Sequence, residues 1–217
     1  MAEVAAYEDR FRAGRGSFLD ELDGFFMQTG AVHQTLRALA RRLDEAQIPY
    51  AVVGAMALGF HGLVRATVDV DILLTKEGLE RFKERYLGLG YVAAFPGAAK
   101  GFRDTDTGVK IDVITTGEYP GDGRPKPVRF PDPNDAAVEL EGTRVISLER
   151  FIDLKLASGM TAAHRRRDIA DVQDLIRATK LPAELADRLD PSVQPLYRQL
   201  WEEAQADDRV HETEPLT

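Results

Sequence analysis

The chain has 217 residues, 44% hydrophobic and 29% charged, with a formal net charge of -8 and no cysteine. Such a length builds a proper core in one domain with an appendage, or in two small domains, and the composition is that of an ordinary soluble protein. Disulfides and thiolate metal sites are excluded, no apolar run approaches the roughly 20 residues of a membrane helix, and the acid excess argues against a general nucleic-acid coat while allowing a local basic groove.

The first stretch, MAEVAAYEDRFRAGRGSF, is charged and has no hydrophobic segment, so it does not read as a secretory signal. With zero cysteines, a cytoplasmic location is the simplest expectation. Ser17-Phe18-Leu19-Asp20-Glu21-Leu22 offers an N-cap and acids in a first turn. With Phe25 and Phe26 it predicts a short helix or arm over residues 1–30 that packs on the body or on a partner subunit. From Ala31 to Gln47, Val32, Leu36, Leu39, Ala40 and Leu43 recur at helical spacing, and Pro49 ends that helix.

Tyr50-Ala51-Val52-Val53 suits a buried strand, broken at Gly54-Ala55, where a small-residue turn lets backbone N–H groups approach an anion. A short helix follows through Met56, Leu58 and Phe60, and then the alternating strand Val68-Asp69-Val70-Asp71-Ile72-Leu73-Leu74. Alternation puts Asp69 and Asp71 on one face and Val68, Val70 and Ile72 on the other. Carboxylates that close repel unless a cation sits between them or one is protonated, and Mg²⁺ with substrate phosphates is the usual solution. Taken alone, D-x-D fits equally a half-exposed edge strand with two outward aspartates.

Lys76 to Leu89 predicts a surface helix with Leu79, Phe82, Tyr86 and Leu87 inward and Gly88 and Gly90 at its end. Tyr91 to Phe95 reads as a strand. Lys100 to Thr107 and Val109 to Thr116 form a hairpin around Thr107-Gly108, and Asp112 lies on its second arm. Gly117 to Asn134, with five prolines and three glycines, is a loop, either a solvated connection or a flap over a ligand. Thr143 to Ser147 is a last short strand, with Ser147 placed to cap the next helix.

The remainder is helical: Leu148 to Ser158, Ala162 to Thr179, Pro182 to Leu189 and Ser192 to about Ala206, before a poorly ordered acidic tail, 207–217. Lys155 falls among Leu148, Phe151, Ile152 and Leu156 on one side of the first of these. Asp168 and Asp171 border the apolar stripe of the second, Ile169, Val172 and Ile176. Two roles stand open for Lys155: facing a phosphate, or pairing with Asp168 to dock the helices. The four histidines have no metal spacing, and His61 reads as a surface helix residue. No G-x-S-x-G or G-x-x-x-x-G-K-[ST] motif is present.

Strand, Gly54-Ala55 turn, helix, Asp69-x-Asp71 and a later-strand Asp112 together resemble the polymerase-β-like nucleotidyltransferase superfamily. Arg65-x-Thr67-x-Asp69-x-Asp71, Lys155-Leu156 and Arg167-Asp168-x-x-Asp171 are similar to the AbiEii- and MenT-type toxin subgroup. One departure is Gly54-Ala55, where the family usually has Gly-Gly or Gly-Ser; alanine keeps the backbone donor but lacks the hydroxyl and glycine's freedom.

The resemblance implies an α+β fold, a mixed β-sheet nucleotidyltransferase core over 31–147 flanked by helices, with a C-terminal helical lobe over 148–206. It implies that Asp69, Asp71 and Asp112 are catalytic and hold two Mg²⁺ ions, with Mn²⁺ as a substitute. It assigns Gly54, Ala55, Arg65, Thr67, Lys155 and Asp168 to the nucleoside triphosphate. The product is a nucleoside monophosphate on an acceptor hydroxyl. The acceptor it favours is RNA, at the tRNA 3′ end, in a toxin that has an antitoxin partner. Alternatives are AMP transfer to a protein, a nucleotide-binding regulatory module without turnover, or a small-molecule acceptor of the aminoglycoside kind.

Overall fold

The computed structural model describes residues 30–213, with side chains to residue 206. The predicted Ser17–Leu22 element and the last four residues of the acidic tail lie outside the described residues. Among those described, no helix is long and apolar enough to cross a membrane.

The first apolar stripe folds as predicted: Ala31–Glu45 is helix α1, with Val32, Leu36, Leu39, Ala40 and Leu43 buried. Gln47, at φ 53, and Pro49 then direct the chain into β1, Tyr50–Val52, buried at all three residues. Helix α2, Gly54–Phe60, leads by a loop into β2, Asp69–Leu74. Val68, predicted to share the inner face of that strand, instead precedes it and is 83% exposed; its partners Val70 and Ile72 are buried.

Helix α3, Lys76–Tyr86, is capped by Thr75, whose hydroxyl accepts from Gly78 N. It stops before Leu87, which is 44% exposed and not inward, because Gly88 and Gly90 turn at φ 83 and 103. The strands β3, Tyr91–Ala93, and β4, Gly101–Asp104, pack against α3 through Phe82, whose ring centroid is 5.2 Å from Tyr91 and from Phe102. Such aromatic pairs add roughly 0.5–1.5 kcal/mol each beyond area burial. The Thr107-Gly108 turn then leads into β5, Lys110–Thr115.

After the proline-rich loop comes one turn of helix, α4 (Pro133–Ala136), and the antiparallel pair β6 (Ala137–Leu140) and β7 (Thr143–Ile146). Strand β6 was not expected. Its turn, Glu141-Gly142, takes φ 49 and 73, the positive pair that a two-residue hairpin needs. Glutamate in place of the usual Asn or Asp hid it.

The seven strands form one sheet in the order β3-β4-β5-β2-β1-β7-β6. It is mixed: β2 runs parallel to β5 and β1 to β7, while the other neighbours are antiparallel. Val70, Ile72, Ile111 and Val113, at its centre, are all 5% exposed or less.

Three C-terminal helices complete the α+β architecture: α5 (Leu148–Thr161), α6 (Arg166–Thr179) and α7 (Gln194–Thr213). The predicted Ala162–Thr179 helix divides at a 3₁₀ turn, Ala163–Arg165, and Pro182–Leu189 is a 3₁₀ segment, Ala183–Arg188. Helix α7 runs past Ala206, since no proline interrupts the chain before Pro215. Ser147 occupies the N-cap of α5, but its side chain makes no capping bond.

His61 is not a surface helix residue. Its Nε2 lies 2.8 Å from Ile146 O and its ring rests 5.7 Å from that of Phe151, tying α2 to β7 and α5. Burial holds its pKa below the usual histidine value.

Candidate active site

The site begins at the turn after β1. Gly54 adopts φ +64, and a methyl group there would stand 1.9 Å from Asp71 Oδ2. Only glycine satisfies both demands, since other L-residues resist this backbone region. Val53 N donates to Asp71 O at 3.0 Å, so the turn and the aspartate are locked together from two sides.

The parallel register of β2 and β5 sets Asp71 beside Asp112 and Asp69 beside Lys110. Three carboxylates thus share one strip of one sheet face. Asp71 feels it most: burial, then the charges of Asp69 and Asp112, push its pKa up to about 6, against the pull of Lys155 and Arg165. Its neighbours are individually restrained. Thr67 Oγ1 donates to Asp69 Oδ1 at 2.7 Å, and Lys110 Nζ donates to Asp112 Oδ2 at 2.6 Å. The hydrogen bond to Asp112 raises the Lys110 pKa.

This all-carboxylate set has the donor chemistry of a hard divalent cation. As the side chains stand, no group of three or more His, Asp or Glu among the described residues is gathered tightly enough to hold a metal ion. At Asp112, the Lys110 ammonium holds one of the two carboxylate oxygens, Oδ2. A cation that used both oxygens would displace Lys110. With side chains 43% and 34% exposed, that pair is held weakly enough to exchange.

Beside the strip lies a cleft of about 370 Å³, lined by Gly54, Asp71, Asp112, Lys155, Asp168 and Arg165, among others. One wall comes from the proline-rich loop, through Glu118, Tyr119, Pro120, Gly121 and Phe130. That loop is no solvated connection. Lys126 Nζ donates to Pro120 O at 2.6 Å and to Thr161 Oγ1 at 2.8 Å, and Gly121, at φ +76, lies so close that a methyl group on it would be 2.7 Å from Ser158 O.

The opposite wall is an ionic network. Lys155 Nζ donates to Asp168 Oδ1 at 2.7 Å and to Asp171 Oδ2 at 2.8 Å. Ser158 Oγ donates to Asp168 Oδ2 at 2.6 Å, and Arg65 Nη1 contacts both oxygens of Asp171 at 2.9 and 3.2 Å. Two cations meet two carboxylates, so the charges cancel. Helices α5 and α6 reach this separation at Gly159, where a methyl group would be 2.4 Å from Ile169 Cγ1. Of the two expected roles of Lys155, the structure shows the pairing that docks the helices, and Lys155 also lines the cleft.

The structure thus brings Gly54, Asp71, Asp112, Lys155 and Asp168 around one cavity, with Asp69 adjoining through its charge on Asp71. Three residues expected at the nucleotide do not line this cavity. Ala55, expected to act through its backbone N–H, is buried and borders a hollow lined by His33, Leu36 and Met56. Arg65 lines a separate surface hollow with Arg167 and Asp174, and Thr67 is committed to Asp69. Both hold other residues in place. Arg165 and Tyr119 were missed, since a solvated arginine run and a loop tyrosine carry no periodic signal; Asp171 was seen only as a border residue.

No family model matches the chain, and no curated protein matches it. Among solved structures it is similar to JHP933 from Helicobacter pylori, at 18% identity over 83% of this chain and 96% of that one, with a TM-score of 0.44. It is also similar to ANT(2")-Ia in complex with adenylyl-2"-tobramycin, at 15% identity over 74% and 91% of the two chains, with a TM-score of 0.45. A nucleotidyltransferase-like protein from Paracoccidioides brasiliensis is 16% identical over 66% and 74%, with a TM-score of 0.43. At such distances the chemistry must be argued from the residues of this chain.

Proposed function

We propose that this protein is a divalent-metal-dependent nucleotidyltransferase that moves a nucleoside monophosphate from a nucleoside triphosphate to an acceptor hydroxyl, with RNA as the acceptor. The observation that carries the reading is the register of Asp71 with Asp112 on adjacent parallel strands, beside Gly54 and facing a cleft that also holds Lys155 and Arg165. Asp69, Asp71 and Asp112 would hold Mg²⁺, two ions in the usual arrangement, which stabilises charge on both entering and leaving oxygens of an in-line displacement.

The residues of the chain do the rest. Gly54 lets the Asp71 carboxylate lie against the turn, where any side chain would collide with it, and the turn lines the cleft that a phosphate would enter. Lys155 and Arg165 face the same space and offset charge as pyrophosphate departs. Asp168 and Asp171 hold the Lys155 amine in position, and Arg65 holds Asp171. Thr67 fixes the rotamer of Asp69. The acceptor oxygen forms a bond to the α-phosphorus as the bond to pyrophosphate breaks, and the hydroxyl proton passes to water. The docked proline-rich loop keeps solvent from one side of the cleft.

The test is incubation of the protein and Mg²⁺ with each α-labelled nucleoside triphosphate and with total tRNA, cell protein or aminoglycosides. Labelled tRNA that disappears with an Asp69→Ala/Asp71→Ala variant supports the reading. Label on protein or aminoglycoside changes the acceptor and keeps the chemistry. No label and no nucleotide binding overturns it. The Lys110–Asp112 pair favours one second reading, a nucleotide-binding module without turnover; nucleotide binding without pyrophosphate release would establish that one.

A further inference from the structure

Ala55, one residue past the cleft-lining Gly54, borders a second hollow, of about 160 Å³, between α1 and α2. Its floor is apolar: Leu36, Ala55 and Met56 are each 5% exposed or less. Phe60, half-buried, and Val64, 55% exposed, stand at its mouth. An apolar cavity of about 150 Å³ takes up benzene, so this volume suits one phenyl ring. Gly59 keeps the space open: a methyl group added there meets no described atom within 4 Å.

The chain before α1 leads directly into this place. Gly30 is the N-cap of α1, and His33 and Leu36, in its first two turns, line the hollow. Upstream, Phe18, Leu22, Phe25 and Phe26 recur at the spacing of one helical face. Phe26 is four residues before Gly30, a stretch that spans at most about 14 Å. Leu36 lies about 9 Å along the α1 axis from Gly30, well within that reach. Charge agrees as well. Between Ser17 and Met27 the sequence has Asp20, Glu21 and Asp23 and no base. Arg37 and Arg41, exposed and one turn apart on α1, carry the opposite sign, against one lining acid, Glu141.

We propose that this hollow is the docking site of the chain's own residues 17–27, with one phenyl ring of the Phe25-Phe26 pair seated on Leu36 and Met56. A segment tethered this closely acts at an effective concentration on the order of millimolar, which a second copy or a separate protein meets only when equally concentrated. Burial of one phenylalanine shifts such an equilibrium by about ten- to a hundredfold. Docked there, the segment packs against the helix whose first residue lines the cleft, so it joins the folded body rather than trailing from it. Nothing in this contact depends on nucleotidyl transfer.

The test is limited chymotrypsin digestion of the full chain, followed by mass spectrometry, on wild type, Gly59→Ala, Gly59→Glu and Phe25→Ser/Phe26→Ser. Cleavage after Phe18 and Leu22 reports on the segment; cleavage after Phe95, which is 62% exposed, reports on the body. Wild type and Gly59→Ala should be cut alike. Gly59→Glu, which puts a charge into the hollow, should be cut about tenfold faster or more after Phe18 and Leu22, and equally fast after Phe95. Phe25→Ser/Phe26→Ser leaves every described residue in place and should show the same acceleration, so it decides the matter even where Gly59→Glu fails to fold. Rates after Phe18 and Leu22 that do not respond to Phe25→Ser/Phe26→Ser overturn the proposal. So does protection that strengthens with protein concentration and accompanies elution as a dimer, which would give the hollow to a second copy.

Discussion

Two groups of charges meet the cleft, one through Asp71 and Asp112 and the other through Lys155 and Asp168, and they are handled in opposite ways. On the sheet, Asp69, Asp71 and Asp112 stand together, and the Asp71 pKa rises to about 6 under burial and their repulsion. Between α5 and α6, Lys155 and Arg65 meet Asp168 and Asp171 at 2.7–3.2 Å and the charges balance. Balanced charge holds a structure; unbalanced charge costs the fold something and is kept where a ligand supplies the missing sign. Substitutions should therefore separate the groups, the first losing activity without stability and the second losing stability first.

The largest expected effect is on the unbalanced side. Asp71→Asn should lower nucleotidyl transfer by about a thousandfold or more, as removal of a group that places transition-state charge does, while the urea midpoint without metal stays level or rises. On the balanced side, Lys155→Met leaves Asp168 and Asp171, each 12% exposed or less at the side chain, with one partner fewer. A loss of about 3–5 kcal/mol is expected by urea denaturation. Adding Asp168→Asn should recover part of it.

Gly54→Ala falls between the groups. A positive φ costs a non-glycine residue about 1–2 kcal/mol, and the methyl group must displace Asp71. Stability and transfer should both fall in the same variant, measured by melting temperature and labelled product.

The pH dependence sharpens the comparison further. Asp71 has its pKa raised from 3.8 to about 6, so between those values the folded, metal-free protein binds the proton more tightly than the unfolded chain. Its unfavourable contribution is full above about pH 6 and fades as pH falls toward 3.8. Asp71→Asn removes it, so the stability gained by the variant in EDTA should grow from near zero at pH 4 to about 1–2 kcal/mol at pH 7, a figure lowered because the carboxylate faces solvent in the cleft. A gain independent of pH would contradict this cause. The smallest effect is that of Thr67→Val, which frees Asp69 from its 2.7 Å hydrogen bond; about 1 kcal/mol, or a several-fold loss of transfer, is expected.

The two groups also differed in how far they could be read from the chain. Alternation alone put Asp69 and Asp71 on one face, and a hairpin signal carried Asp112, so the acid strip was legible residue by residue. The pairing of Lys155 with Asp168 was foreseen as one of two alternatives, because both border apolar stripes on consecutive helices. Arg65 was read as a nucleotide contact, yet its partner Asp171 lies 106 residues away, a distance over which no local pattern speaks. Arg165 and the docking of the proline-rich loop were hidden for the same reason: both depend on how α5 meets the sheet. Strand β6 was hidden by an atypical turn, Glu141-Gly142.

The central claim is that the acid strip is a cation site awaiting its ligand. Titration of Mn²⁺ followed by electron paramagnetic resonance, at neutral pH with a nucleoside triphosphate present, tests it directly. Wild type should remove Mn²⁺ from solution beyond what the nucleotide alone does, and an Asp71→Asn/Asp112→Asn variant should not. Equal uptake by the two proteins would contradict the account.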